Sequence, residues 1–317
     1  MRGDKKFPPR APTTAGAKRG MTPSEIRFVR VDGLRVRVAV SGEGPPLLLI
    51  MGLLGNLSLW DPLREQLPGV QIISFDAPGV GRSDVPMLPM SMTALARWTD
   101  RLVAELGFAR VDVLGLSFGG ALAQQLARAA PARVRRLVLA ATSCGLGGVP
   151  GSPLALQRLF DPRVILSRRG LERASPLLFG GRAGRDPRRV MELPWGRPPS
   201  LRGYAWQLAA ISGWSSLPWL HRLPHETLIL AGDDDPLVPV LNAQMLRACI
   251  PRAQLRVIRG GGHLFLLDSA EDVAPLIAAF LRRGTVRTLE PVPDGDGREP
   301  AARNAGPPPE ASSGAAS

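Results

Sequence analysis

The chain has 317 residues, 44% of them hydrophobic, which is enough for one large α/β domain with a buried core. Its net charge of +13 is almost wholly arginine, since Lys5, Lys6 and Lys18 are the only lysines among 40 basic residues; the skew reads as coding bias rather than selection for a polyanion. A lone tyrosine, Tyr204, and the lack of Cys/His finger spacings argue against the common nucleic-acid modules, no window nears the roughly 18 apolar residues of a membrane span, and Cys144 and Cys249 lack metal-ligand or CxxC spacing.

In chain order, residues 1–22 are basic and rich in Pro and Gly without periodicity, and read as a disordered tail with Met21 as a candidate start. No apolar leader core occurs in the first twenty residues, so a cytoplasmic location is the expectation. IRFVRV and LRVRVAV alternate apolar residues with arginine around Asp32-Gly33, predicting an antiparallel edge hairpin. PLLLIM, QIISFD, VDVLGL, RLVLAA, TLILAG and LRVIRG follow as aliphatic runs and read as parallel strands buried on both faces. Helical patterns lie beside them: LSLWDPLREQL, SMTALARWTDRLVAEL, FGGALAQQLARAA, LNAQMLRACI and SAEDVAPLIAAFLRR. The alternation predicts an α/β fold with an eight-stranded, mostly parallel sheet and right-handed crossovers.

The rhythm breaks between Cys144 and His221, where Pro, Gly and Arg accompany Phe160, Phe179, Trp195, Trp206, Trp214 and Trp219. So many aromatics predict a helical cap inserted after the sixth strand and packed over the sheet rather than a loop. The expected divisions are core over residues 23–143, cap over 144–222, core again over 223–285, and a low-complexity, disordered tail over 286–317.

Chemistry concentrates at the ends of the predicted strands. Gly115-Leu116-Ser117-Phe118-Gly119 fits G-x-S-x-G between an apolar strand and an amphipathic helix, where small residues on either side permit the strained turn that lifts a serine hydroxyl out of the sheet. Ser117 is the candidate nucleophile. Of three histidines, His221 and His225 sit in a polar connector and read as surface residues, whereas His263 ends the glycine run of RGGGHLFLL just past the last strand and is the candidate base. An acid must fix the imidazole tautomer, and the order serine, acid, histidine points to the Asp233-Asp234-Asp235 cluster at the end of the seventh strand. Asp268 and Glu271 read instead as helix-start acids, and Asp76 as part of a turn. An oxyanion needs two backbone donors, for which Phe118 and Leu53, after Gly52 in IMGLLGN, are the candidates.

MGLLGN, FDAPGVGRSD, GLSFGG, AGDDDPLVP and GGGH, in that order, resemble the α/β-hydrolases. LIMGLLGNLSLWDPL, LAATSCGLGGVPGSP, GYAWQLAAISGWSSLPWLH, LAGDDDPLVPVLNAQML and GGGHLFLLDSAEDVAPLI resemble more closely the intracellular depolymerases of medium-chain-length poly(3-hydroxyalkanoate), over residues 25–283. That resemblance implies a triad of Ser117, Asp235 and His263, no metal or cofactor, and ester cleavage in a storage polyester or its oligomers at a granule in the cytoplasm. Asp235 is also the one acid of the cluster that a following proline biases toward extended backbone. The chain departs from the family pattern at Phe118, where tryptophan is expected. An aliphatic acyl pocket is implied, with Trp206, Trp214 and Trp219 as candidate lining. Arg163, Arg168, Arg169, Arg173, Arg182, Arg185, Arg188 and Arg189 crowd the cap and read as a solvated face, or else as a surface for an anionic granule coat. Small-molecule carboxylesterase, lactonase or cofactor-free perhydrolase activity is the first alternative, and a non-catalytic ligand receptor on the same scaffold is the second.

Overall fold

A computed structural model describes residues 25–197 and 200–282; the two expected tails and Met21 lie outside these residues. Eight strands form, each on a run that the sequence marks: β1 (Glu25–Val31), β2 (Leu34–Ser41), β3 (Pro46–Ile50), β4 (Gln71–Phe75), β5 (Val111–Leu116), β6 (Val134–Ala140), β7 (Glu226–Gly232) and β8 (Ala253–Ile258). They make one sheet in the order β1-β2-β4-β3-β5-β6-β7-β8. β2 pairs antiparallel with β1 and β4, and every other pairing is parallel. Asp32 and Gly33 both take positive φ, 49° and 80°, the geometry a two-residue hairpin needs to follow strand twist. β5 is buried along its whole length, as expected of a central parallel strand. β8 is not: Arg256 and Val257 are exposed because it is the last strand of the sheet and has no outer neighbour.

Around the sheet lie α1 (Asp61–Glu65), α2 (Met92–Glu105), α3 (Phe118–Ala129), α10 (Val240–Cys249), α11 (Phe265–Asp268) and α12 (Ala270–Arg282). Between β6 and β7 the chain adds α4 (Pro153–Leu159), α5 (Pro162–Ile165), α6 (Arg168–Leu178), α7 (Gly181–Arg185), α8 (Arg188–Glu192) and α9 (Leu201–Ile211), so the interval expected to be helical is built from six helices. LSLWDPLREQL is not the single helix its pattern predicts. It forms a 3-10 turn over Leu57–Trp60, where Asp61 N–H bonds back to Ser58, and then the five-residue α1. Pro62 has no N–H to give the Ser58 carbonyl, so the α-helical ladder cannot run through that point.

Two cores flank the sheet. One face packs α2 and α3 through Trp98, Leu102, Leu122 and Leu126; the other packs Trp60, Leu63 and the Val273, Ile277 and Phe280 stripe of α12. The i, i+4, i+7 spacing of that stripe places all three on one helix face, each buried apolar side chain contributing about 1.5–3 kcal/mol. The ends of β3, β5, β7 and β8 are thereby held along one edge of the sheet, with β6 between β5 and β7, and the turns after them carry the candidate residues.

Candidate active site

Ser117 stands between β5 and α3 at φ 55°, ψ −116°, a conformation that costs a residue with a side chain on the order of 1–3 kcal/mol. Close packing enforces it. A Cβ on Gly119 would overlap the Ile50 carbonyl oxygen, one on Gly115 would overlap the Gly119 carbonyl oxygen, and one on Gly120 would lie 2.6 Å from Thr142 Cβ. Ser117 N–H donates to the Ala140 carbonyl at 2.9 Å, while its own carbonyl accepts from Thr142 Oγ1 at 2.7 Å. The side chain is half-buried and opens into a cavity of ≈330 Å³.

His263 lines the same cavity. Its Nδ1 lies 2.8 Å from Asp235 Oδ2, and both residues are buried. Asp235 Oδ1 accepts from the amides of Leu237 and Val238, each at 2.9 Å, so both carboxylate oxygens are engaged and the group is fixed. With Asp235 acting as an acceptor, the Nδ1 of His263 carries the proton and Nε2 is left as the basic nitrogen. The neighbouring acids serve the turn. Asp233 Oδ1 accepts from Gly260 N–H at 2.6 Å, and Asp234 Oδ2 from Gly181 N–H at 2.8 Å and from Arg185 at 3.3 Å. Both are exposed, in contrast to Asp235.

Leu53 and Phe118 also line the cavity. Phe118 is the first residue of α3, so its amide precedes the first intrahelical hydrogen bond. Leu53 follows Gly52, whose Cβ, if present, would come within 3.3 Å of the Ser117 side chain; the β3 turn therefore passes directly beside the serine. The turn is strained at Leu54, φ 68°, and held by the buried Gln207 of α9, whose Oε1 accepts from Leu54 N–H at 3.1 Å.

The remaining lining is mostly apolar and comes largely from the insertion, including Leu156, Leu159, Ile165, Leu171, Phe179 and Trp195, with Thr142, Ser143, Ser167 and Arg168 as its polar members. Trp206, Trp214 and Trp219 are not among the lining residues. Trp206 Nε1 donates to the Pro86 carbonyl and Trp214 Nε1 to Gln125 Oε1, while Trp214 and Trp219 pack edge to face and Trp219 carries Arg128 on its ring. These rings fasten the insertion to the core, and Trp195 is the tryptophan that faces the cavity. The arginine-rich stretch is partly neutralised by local acids: Arg163 pairs with Asp161, Arg182 with Glu271 and Asp272, and Arg188 with Asp186.

Three tethers from the insertion were not legible as site features. The Phe179 carbonyl accepts from His263 N–H at 2.6 Å, Gly181 N–H caps Asp234, and the Trp195 carbonyl accepts from Asn56 in the β3 turn. Gly180 and Gly181 both have positive φ because the chain there presses against Asp234 and Gly262; a glycine doublet breaking a helical stretch is the signal that could have found them.

Two other ionisable groups are buried. Asp76, read as part of a turn, follows β4 directly, is fully buried there and holds the amides of Leu57 and Arg82 at 2.8 and 2.9 Å. Burial raises its carboxyl above the usual range against the opposing pull of those amides and of Arg37. His225, expected at the surface, is buried with Nε2 3.1 Å from the Pro131 carbonyl, and burial lowers its imidazole below the ordinary value. Cys144 and Cys249 are both free thiols. Among the described residues no group of three or more His, Cys, Asp or Glu could hold a metal ion, and no helix is long and apolar enough to cross a membrane.

A strained serine after a central parallel strand, beside a buried Asp–His pair at later strand ends, defines a class, and the chain belongs to the α/β hydrolase fold family, which it matches over residues 45–270. Within that class it is 43% identical to the poly(3-hydroxyalkanoate) depolymerase of Ectopseudomonas oleovorans, over 84% of this chain and 96% of the relative. It is 30% identical to the 2-hydroxymuconate semialdehyde hydrolase of Pseudomonas sp. strain CF600, over 82% of this chain and 95% of that protein. Among solved structures, a thermophilic esterase from Thermogutta terrifontis superposes with a TM-score of 0.66 at 26% identity, covering 81% of this chain and 98% of the esterase.

Proposed function

We propose that this protein is a serine ester hydrolase that cleaves poly(3-hydroxyalkanoate) or its oligomers through an acyl-enzyme. The observation that carries the reading is the buried Asp235–His263 hydrogen bond at the wall of the apolar cavity into which Ser117 opens. His263 Nε2 takes the proton of Ser117 Oγ as that oxygen attacks the ester carbonyl, and Asp235 holds the resulting imidazolium. The amides of Phe118 and Leu53 receive the oxyanion. Water, deprotonated by His263, then releases the acid and restores the serine. A cavity of ≈330 Å³ lined by leucine, isoleucine and phenylalanine suits the aliphatic side chain of a 3-hydroxyacyl unit.

The polymer reading brings with it a granule surface as partner. Leu154 and Phe160, exposed by 58% and 54% on and beside α4, are apolar side chains available to it. The modest cavity size favours a second reading, a small-ester or lactone hydrolase, because a pocket of this volume holds a monomer-sized acyl group without a polymer surface.

Purified wild type and Ser117→Ala should be offered an aryl octanoate and a medium-chain polyester latex. Release of 3-hydroxy acids from latex, lost by roughly 10⁴-fold or more in the variant, is the expected result. Ester turnover without polymer turnover would favour the small-ester reading; saturable ligand binding with no turnover of any ester would favour a receptor.

A further inference from the structure

We propose that Arg168 selects esters ending in a free carboxylate, so that the enzyme removes units from the carboxyl end of a polyester chain. The inference rests on the ester-hydrolase reading above and names the substrate feature that its cavity recognises.

The cavity opens to solvent on the side of the insertion. Of its lining residues only Phe160, Arg168 and Gly196 are exposed, and all three belong to the insertion, so they form the mouth. Arg168 is the one lining residue with a permanent charge; Asp235, which pairs with His263, is not in the lining. Its guanidinium is fixed rather than free: Nη2 donates to the Met191 carbonyl at 2.8 Å, which ties the start of α6 to the end of α8 across the mouth. That bond occupies one of five N–H donors. Arg163, Arg182, Arg185 and Arg188 on the same insertion each have an acidic partner, whereas among the described residues no carboxylate pairs with Arg168; Arg169, Arg173 and Arg189 likewise make no ion pair, but of these only Arg168 lines the cavity. A fixed cation without a counter-ion, at the opening of an apolar cavity, is a receptor for an anionic group attached to an apolar one.

A polyester end supplies that combination. When Ser117 attacks the ester nearest the carboxyl end, the bond between Ser117 Oγ and the acyl carbon forms and the bond from that carbon to the 3-oxygen of the terminal unit breaks. The serine proton passes through His263 to that oxygen, and the terminal unit leaves as a 3-hydroxy acid whose carboxylate lies one repeat from the attacked carbonyl. With the acyl side chain in the cavity, Arg168 at the mouth would receive that carboxylate, and the rest of the acyl chain leaves through the same mouth. Water then frees the acyl chain as a carboxylic acid, one unit shorter and again ending in a carboxylate.

The test compares a 3-hydroxyoctanoate dimer as the free acid, the same dimer as its methyl ester, and an aryl octanoate as the neutral reference. Wild type is expected to favour the acid over the methyl ester in kcat/KM, and Arg168→Gln to lose that preference by on the order of tenfold, mainly through KM, with aryl octanoate turnover retained. Arg168→Lys should keep part of it. In wild type alone, raising the salt concentration should erode the acid preference and leave methyl-ester turnover unchanged. An acid-to-methyl-ester ratio near one in wild type, or one insensitive to both salt and Arg168→Gln, would overturn the inference while leaving the hydrolase reading in place. Absence of turnover on all three substrates in wild type would overturn both.

Discussion

Ser117 takes its support from Ala140 and Thr142 at the end of the neighbouring strand β6, whereas the turns carrying Leu53, Asp235 and His263 all reach across to the insertion between β6 and β7. The elbow is fixed by backbone crowding within the sheet: any side chain on Gly115, Gly119 or Gly120 would collide with its neighbours. The opposing turns are tied to the insertion by a few hydrogen bonds, with Gln207 and Trp195 at the β3 turn, Gly181 and Arg185 at the acid turn, and Phe179 at the histidine loop. The proposed nucleophile and the Phe118 amide are thus preorganised by the core alone, while the turns of the candidate base, acid and Leu53 donor are also tied to the insertion. An exchangeable insertion can in this way alter substrate choice without disturbing the strained serine.

The sharpest way to break the comparison is within the acid cluster. Asp235→Asn is expected to lower kcat on an octanoate ester by roughly 10³–10⁴-fold, because the amide no longer fixes the Nδ1–H tautomer of His263. Asp234→Asn, which loses an exposed pairing with Arg185 but keeps an acceptor for Gly181 N–H, should stay within about threefold of wild type. Comparable losses in the two variants would mean that the triad acid is misassigned.

An intermediate effect is expected at Gln207. Gln207→Leu leaves the amide of Leu54 buried without an acceptor, at a cost of about 1–3 kcal/mol, and loosens the turn that presents Leu53. Turnover should fall on the order of tenfold, chiefly in kcat, and Tm should drop with it. Unchanged kcat would show that the β3 turn is held without the insertion.

The smallest effect concerns pH and lies away from the site. His225 has its folded pKa depressed by burial, so between pH 6.5 and that lower value the unfolded chain binds a proton that the folded chain refuses. Stability contributed by neutral His225 is complete above the unfolded pKa and is lost as pH falls through this window. Thermal melts of wild type and His225→Gln at pH 7.5 and 5.5 should show wild type losing on the order of 2 °C more than the variant.

The fold was legible because β1 and β2 alternate apolar residues with arginine and the other six strands are short apolar runs bounded by turn residues, so period and length located all eight. The triad candidates were legible for a related reason: Ser117, Asp235 and His263 each follow a strand, and a strand end is a fixed point in this topology. The insertion gave no such markers. Its tryptophans announce a packed helical segment, but not which ring faces inward, since Trp195 and Trp206 differ only in where short helices happen to turn. Gln207 and Asp76 act through backbone amides distant in sequence, and nothing local distinguishes them from solvated polar residues.

The hydrogen bond from His263 N–H to the Phe179 carbonyl sets a limit on how this protein can be recombined. The histidine loop borrows one wall from a segment 84 residues upstream, so a graft replacing the whole stretch between Cys144 and His221 would remove that wall along with the pocket. A chimaera that keeps Phe179-Gly180-Gly181 and Gln207 while exchanging α4, α5 and the first turn of α6 would carry a new mouth onto an intact catalytic frame. The interchangeable module is therefore smaller than the insertion, and its inner border falls within α6, ahead of the Gly180-Gly181 pair.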